Sequence, residues 1–154
     1  MTSRRLNYNQ PTEEDLLKRV DHIGILVRDI DEAVKAFSEI LGFRKVDSPP
    51  SADSEGDFKS VQIAAGEVTI ELIEPVNPDS PLASFLEKRG EGLHHISIEV
   101  DDIDQKLDSL KAKGVRLINE KVQVVGSSKV AFVHPSATKG ILVELTEKVP
   151  NRES

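Results

Sequence analysis

DHIGILVRDID at residues 21–31 returns 73 positions later as HHISIEVDDID at residues 94–104. Ile23/Ile96, Ile25/Ile98, Val27/Val100, Asp29/Asp102, Ile30/Ile103 and Asp31/Asp104 are identical in register. Further on, the same offset lays Ile70-Glu71-Leu72 over Val143-Glu144-Leu145. One spacing held at both ends of a long stretch marks a tandem duplication of a supersecondary unit, present twice, rather than a short solenoid repeat. Two polar pairs ride on that spacing: His22 with His95, and Glu71 with Glu144.

Outward from the repeat, residues 19–27 alternate and are rich in β-branched side chains, which predicts a strand. A helix follows, because Ala33, Val34, Phe37, Ile40 and Leu41 share a 3.6-residue face between an aspartate cap and Gly42. Strands are expected at 43–47, 58–64 and 68–74, with the proline-containing, polar segment 48–56 as a loop and possible lid. The second unit repeats the order: strand 93–100, helix 104–113 ended by Gly114, then strands near 115–118, 130–134 and 141–147. Between the units, Ser80-Pro81 reads as a helix start and Gly90 as its end, with Leu82, Phe85 and Leu86 turned inward. The expected fold is α+β, two βαβββ modules forming a curved, barrel-like mixed sheet with helices outside. The expected organisation is an N-terminal extension (1–18), a single domain (19–148) and a tail (149–154). Within the domain, module 1 covers 19–76, the connecting helix 80–89 and module 2 92–148.

Composition narrows the function classes. A chain of 154 residues can hold one domain with a real core. Its lack of cysteine removes disulfides and thiolate metal sites. A net charge of −7 argues against a nucleic-acid partner, which needs a basic footprint. No apolar run approaches the roughly 20 residues of a membrane span, and no signal peptide is expected. The expected protein is soluble and cytoplasmic, without a membrane partner.

The pleat then sorts the repeated residues. Successive strand side chains face opposite ways, so Ile23, Ile25 and Val27 oppose His22, while Ile96, Ile98 and Val100 oppose His95. Ile70 and Leu72 likewise oppose Glu71, and Val143 and Leu145 oppose Glu144. The aliphatic face is expected to pack on the helices, and the four polar residues to converge inside the curved sheet. Two buried carboxylates raise each other's pKa strongly unless a cation joins them. Imidazole plus carboxylate without thiolate suits divalent Zn, Co, Ni, Mn or Fe. A single strand histidine is more often a hydrogen-bonded structural residue than a ligand; the shared offset and face are what favour a site. By parity His94 is expected on the aliphatic side as a packing or supporting residue. His134 is expected in a turn, and Glu74, Glu99 and Glu147 as solvated carboxylates.

DHIGI around His22, IELIEP around Glu71, GEGLHHISIEVDDID around His95 and GILVELTE around Glu144 resemble the vicinal oxygen chelate (glyoxalase-like) superfamily. PDSPLASFLEKRGEGLHHISIEVDDID and VAFVHPSATKGILVEL resemble, within it, the methylmalonyl-CoA epimerases; the likeness runs from about residue 20 to 147. That resemblance implies an isomerase, holding a divalent metal ion (Co, Zn, Ni or Mn) on His22, Glu71, His95 and Glu144 and acting on an acyl-CoA thioester. It implies proton removal next to two chelating oxygens, an enolate, and reprotonation from the other face. Glu144 matches the family's proton-transferring carboxylate. Some relatives carry the second base where this chain aligns Ser60, with glutamine in place of Glu71, so Glu71 is the expected second catalytic residue here. The segment VQVVGSSKV (122–130) departs from the Gly- and His-containing loop of many relatives. Lys88, Arg89, Lys129 and Lys139 are the expected basic contacts for CoA phosphates. A homodimer is expected, with the edge of strand 93–100 free to pair. The alternatives are a lactoylglutathione lyase using the same four ligands, and a non-catalytic binding or resistance protein of the same fold.

Overall fold

The computed structural model describes residues 17–47 and 56–149. Its elements run β1 (Leu17–Leu26), α1 (Ile30–Lys35, continued by a π turn over Ala36–Ile40), β2 (Arg44–Lys45), β3 (Phe58–Ala65), β4 (Val68–Pro75), α2 (Pro81–Arg89), β5 (Gly92–Val100), α3 (Ile103–Ala112), β6 (Gln123–Val125), β7 (Ser128–Val133) and β8 (Val143–Lys148). All eight strands join one mixed, curled sheet in the order β2-β3-β4-β1-β5-β8-β7-β6. β1 runs parallel to β4 and β5 parallel to β8, while β1 and β5 pair antiparallel and join the modules. β5 therefore lies inside the sheet, which overturns the expectation that its edge is free to pair with a second copy; the outer strands are β2 and β6.

Each module packs its helix on the aliphatic face, as the alternation predicts. Val27, Ile30, Ile63, Ile70 and Leu72 form one core with Ala33, Val34 and Phe37 of the first helix. Val100, Ile103, Leu107, Ala131, Val133 and Leu145 form the other. On the opposite face α2 lays Leu82, Phe85 and Leu86 against Leu26, Phe58 and Ile73.

The helix starts repeat the duplication. Asp29 and Asp102 are the N-caps, accepting from Glu32 N and Gln105 N. Glu74 and Glu147, expected in solvent, instead accept from Ile30 N and Ile103 N at 2.9 and 2.8 Å. They satisfy amides that have no partner within the helix, and they place negative charge at the positive end of its dipole.

Other expectations fail for local reasons. Ile40 and Leu41 are exposed (77% and 63%), because the wider π turn rotates the end of the helix and leaves Phe37 to meet Phe43, with ring centroids 5.3 Å apart. Strand 43–47 shortens to β2. Strand 115–118 reduces to a single bridge, Leu117 to Val133. There the Asn119 side chain accepts from Phe132 N and takes the place of the next ladder bond. The unexpected β6 instead forms a hairpin with β7 around Gly126, whose φ of 57° is left-handed. The extension up to residue 16, the lid segment 48–55 and the tail from 150 lie outside the described residues. Among the described residues, no helix is long and apolar enough to cross a membrane.

Candidate metal centre

His22, Glu71, His95 and Glu144 stand on β1, β4, β5 and β8, the four central strands. Register brings them together in two crossed triplets. Gly24 is the Cα partner of Glu71 on one side and of His95 on the other. Ser97 is the partner of His22 on one side and of Glu144 on the other. The His95 ring lies over Gly24 so closely that a Cβ there would stand 2.2 Å from its Cε1. Glycine occupies this position, the counterpart of Ser97, for its missing side chain.

The donor atoms converge. His22 Nε2 is 3.1 Å from His95 Nε2, 3.2 Å from Glu71 Oε2 and 3.8 Å from Glu144 Oε1. His22, His95 and Glu144 are buried, and Glu71 nearly so. Ser60 Oγ donates to Glu71 and Ser97 Oγ to Glu144, both at 2.7 Å. Ser60, the position that some relatives fill with a base, thus serves here as a donor to Glu71. Phe132 meets the His95 ring edge-on at 6.2 Å.

Electrostatics separates residues that the repeat makes look alike. Burial disfavours a charged His22, but its hydrogen bonds to Asp21 and Glu71 and the charges of Glu71 and Glu144 raise it to about 9. Burial, and then the neighbouring His22 charge, push His95 well below the usual imidazole range. Burial alone would raise Glu71, yet the His22 contact and the Ser60 hydrogen bond hold it low. Glu144 lies above the ordinary carboxylate range, because burial outweighs the His22 charge and the Ser97 hydrogen bond. The two glutamates are therefore shifted in opposite directions, Glu71 by its contact with His22 and Glu144 by burial.

This donor set suits a divalent cation. Two imidazole nitrogens face each other at 3.1 Å beside carboxylates, an arrangement that needs either a shared proton or a cation between them. Ligand atoms of His22, Glu71 and His95 all lie within 4.8 Å of one another, and Glu144 approaches from the fourth strand. Two imidazoles and two carboxylates without sulfur match Zn, Co, Ni or Mn alike.

Supporting residues were less legible in the sequence. Asp21, its side chain only 7% exposed, accepts from His22 Nδ1 at 2.9 Å and is held by Lys148 at 3.1 Å. His94 is not on the helix side: its Nδ1 lies 2.9 Å from His95 Nδ1 and its ring packs on Phe85, because a bulge at this point breaks the alternation. Glu99, expected in solvent, is buried and accepts from Arg19 Nε at 2.7 Å. His134 caps a short 3-10 turn, as expected for a turn residue. Of the expected phosphate contacts, Lys129 is committed to Asp104 and Glu147 beside α3, and Arg89 lies over the Phe85 ring. A cleft of about 670 Å³ opens beside Asp21, lined by Arg19, Gln62, Thr69 and Lys148 among others.

A curled sheet of paired βαβββ modules with a His/Glu cluster at its centre defines the class, and the profile of the Glyoxalase/Bleomycin resistance protein/Dioxygenase superfamily matches residues 21–132. Methylmalonyl-CoA epimerase of human mitochondria is 37% identical over 133 residues, covering 85% of this chain and 74% of its own. The Mycobacterium tuberculosis methylmalonyl-CoA epimerase superposes with a TM-score of 0.79 at 31% identity, covering 88% of this chain and 91% of its own. Within the superfamily, the chain belongs to the methylmalonyl-CoA epimerase family. An uncharacterised Bacillus subtilis protein, YqjC, is also 38% identical over 132 residues, covering 85% of this chain and 93% of its own. A Streptomyces coelicolor methylmalonyl-CoA epimerase variant, solved with 2-nitronate-propionyl-CoA, gives a TM-score of 0.77 at 28% identity, covering 86% and 99%.

Proposed function

We propose that this chain is a metal-dependent methylmalonyl-CoA epimerase, interconverting the (R) and (S) epimers by a 1,1-proton transfer. The observation that carries the reading is the convergence of His22, Glu71, His95 and Glu144, in a chain whose relatives include named epimerases. His22, Glu71, His95 and Glu144 would hold the divalent ion, with Co, Zn, Ni and Mn as the candidates. When bound, the ion supplies Lewis-acid stabilisation of the negative charge that develops as the α-proton leaves.

The chain's own residues do the proton work. Glu144, made more basic by burial, takes the α-proton from one face of the substrate. Ser97, donating to its Oε1, keeps that carboxylate from turning away. Glu71, oriented by Ser60 in the same manner, returns to the opposite face a proton that it takes up from solvent, and the proton now on Glu144 leaves to solvent. Neither serine has the basicity to replace its glutamate. The acyl-CoA would enter along the cleft beside Asp21, where Gln62 and Thr69 supply amide and hydroxyl partners and the charges of Arg19 and Lys148 are met by Glu99 and Asp21. Assembly as a homodimer belongs to the same proposal and is read by light scattering.

The test follows a single epimer of methylmalonyl-CoA by chiral chromatography, with protein loaded with Co²⁺ and with protein stripped by a chelator. A parallel reaction offers the hemithioacetal of glutathione and methylglyoxal. Loss of chirality by the loaded protein alone supports the proposal. Turnover of the hemithioacetal without epimerisation would replace it with the lyase reading.

A further inference from the structure

The position before each site histidine is itself a pair at the 73-residue offset, Asp21 and His94. Each is the extra residue of a β-bulge in the β1–β5 ladder. Val20 pairs with Ile98 and His22 with Ser97, which leaves Asp21 without a partner in the ladder; Gly24 pairs with His95 and Ile25 with Leu93, which does the same for His94. A bulge suspends the in-and-out alternation and re-aims a side chain. Both residues accordingly turn onto the next histidine. His22 Nδ1 lies 2.9 Å from Asp21 Oδ2, and His95 Nδ1 lies 2.9 Å from His94 Nδ1.

The two supports are chemically unequal. An ionised carboxylate only accepts, so Asp21 requires a hydrogen on His22 Nδ1 and leaves Nε2 as the lone-pair donor facing the cluster. The carboxylate is also held from behind, by Lys148 Nζ at 3.1 Å and an Arg19 nitrogen at 3.7 Å. An imidazole can donate or accept, so the His94 contact is compatible with either tautomer of His95. Phe85, with its centroid 4.8 Å from that of His94, fixes the ring's place without selecting its tautomer. A carboxylate partner raises the basicity of a ligating histidine, and a neutral ring does so less.

We propose that Asp21, anchored by Lys148, and His94 are unequal positioning residues, with Asp21 making His22 the tighter metal donor and His94 leaving His95 the weaker one. The inference rests on the metal reading of the proposed function. It assigns a division of labour between the modules that their shared sequence conceals: module 1 retains the ion, and module 2 contributes the ligand that yields.

The experiment measures the Co²⁺ dissociation constant of the full chain by competition with a chromophoric chelator at one pH, together with the visible absorption of the bound Co²⁺. Asp21→Asn keeps shape and removes charge, and it is expected to weaken binding by about 10- to 100-fold. Asp21→Glu, which keeps an acceptor, is expected to recover part of the loss. His94→Asp, which gives the second histidine a carboxylate, is expected to bind more tightly than wild type and to shift the Co²⁺ bands. A purely structural role would lower the melting temperature of Asp21→Asn and leave its dissociation constant unchanged, and that result overturns the inference. If Asp21→Asn does not fold, His94→Asp decides alone: tighter binding supports the inference, and unchanged or weaker binding refutes it. Wild-type protein that binds no Co²⁺ refutes the metal reading itself, a separate outcome.

Discussion

Replacing Gly24 by alanine sets the tightness of the sheet against the geometry of the site. The added Cβ would stand 2.2 Å from His95 Cε1, 2.4 Å from Nδ1 and 2.8 Å from Nε2, whereas carbon atoms rest about 3.5–4.0 Å apart. The buried His95 ring must therefore retreat by more than about one ångström. Its Nε2 stands 3.1 Å from that of His22. Two bonds of about 2.0–2.1 Å to one ion span at most about 4.2 Å even in a straight line, so a retreat of this size would remove His95 as a ligand. The affinity loss is then at least about 100-fold, the upper end of what losing a mere supporting contact costs. Stability changes far less. Relief of the strand glycine is worth about 0.5–1 kcal/mol, against about 1–3 kcal/mol for overpacking, which leaves a net destabilisation of no more than about 2.5 kcal/mol. Co²⁺ titration followed by visible absorption reads the first quantity, and urea melts of the metal-free protein read the second. A Gly24→Ala protein that folds and binds Co²⁺ with wild-type affinity would refute the packing argument.

Glu144→Gln should lower kcat by about 10²- to 10⁴-fold, and Glu71→Gln should also impair turnover; full epimerase activity in Glu71→Gln would reduce Glu71 to a ligand. In the metal-free protein His22 titrates near 9, above the ordinary value of about 6.5. Its stabilisation is complete below pH 6.5 and disappears as pH rises through 9, at about 1.4 kcal/mol per pH unit where one proton is exchanged. His95 is shifted down, so its contribution is complete above pH 6.5 and is lost on acidification. Urea midpoints of metal-free protein should therefore peak near neutrality, and Co²⁺ should flatten the alkaline side; a flat profile from pH 6.5 to 9 would contradict the His22 assignment. Glu74→Ala leaves Ile30 N without its acceptor and should cost about 1 kcal/mol in the same melts. Leu107→Ala empties a position only 3% exposed and should cost about 2–5 kcal/mol, with metal affinity unchanged.

The duplication made most of the fold legible, because a 73-residue offset and strand parity depend on side-chain pattern alone. Parity sent His22, His95, Glu71 and Glu144 to one face, and the register places them there. It misread His94 because a bulge shifts alternation by one residue and leaves no mark in the local pattern. Asp21, at the repeat position of His94, carried no expected role, because its contact with His22 depends on the matching bulge in β1. Ile40 and Leu41 kept a helical period that the π turn breaks. Glu74 and Glu147 looked like surface carboxylates because their partners, the first amides of α1 and α3, come from a turn 44 residues away in sequence. Glu99 looked like a solvated carboxylate for a similar reason: its partner Arg19 lies 80 residues away, on the other module. Edge exposure was misjudged because nothing local announces that β1 and β5 pair with each other.

The central claim is that this cluster moves the α-proton of methylmalonyl-CoA between two faces. Its most direct measurement is exchange of that proton for deuterium in D₂O, followed by mass spectrometry and NMR on one pure epimer. Protein loaded with Co²⁺ should incorporate one deuterium at Cα while losing chirality, and chelator-treated protein should do neither. Loaded, folded protein that leaves the α-proton untouched with each of Co²⁺, Zn²⁺, Ni²⁺ and Mn²⁺ would contradict the account.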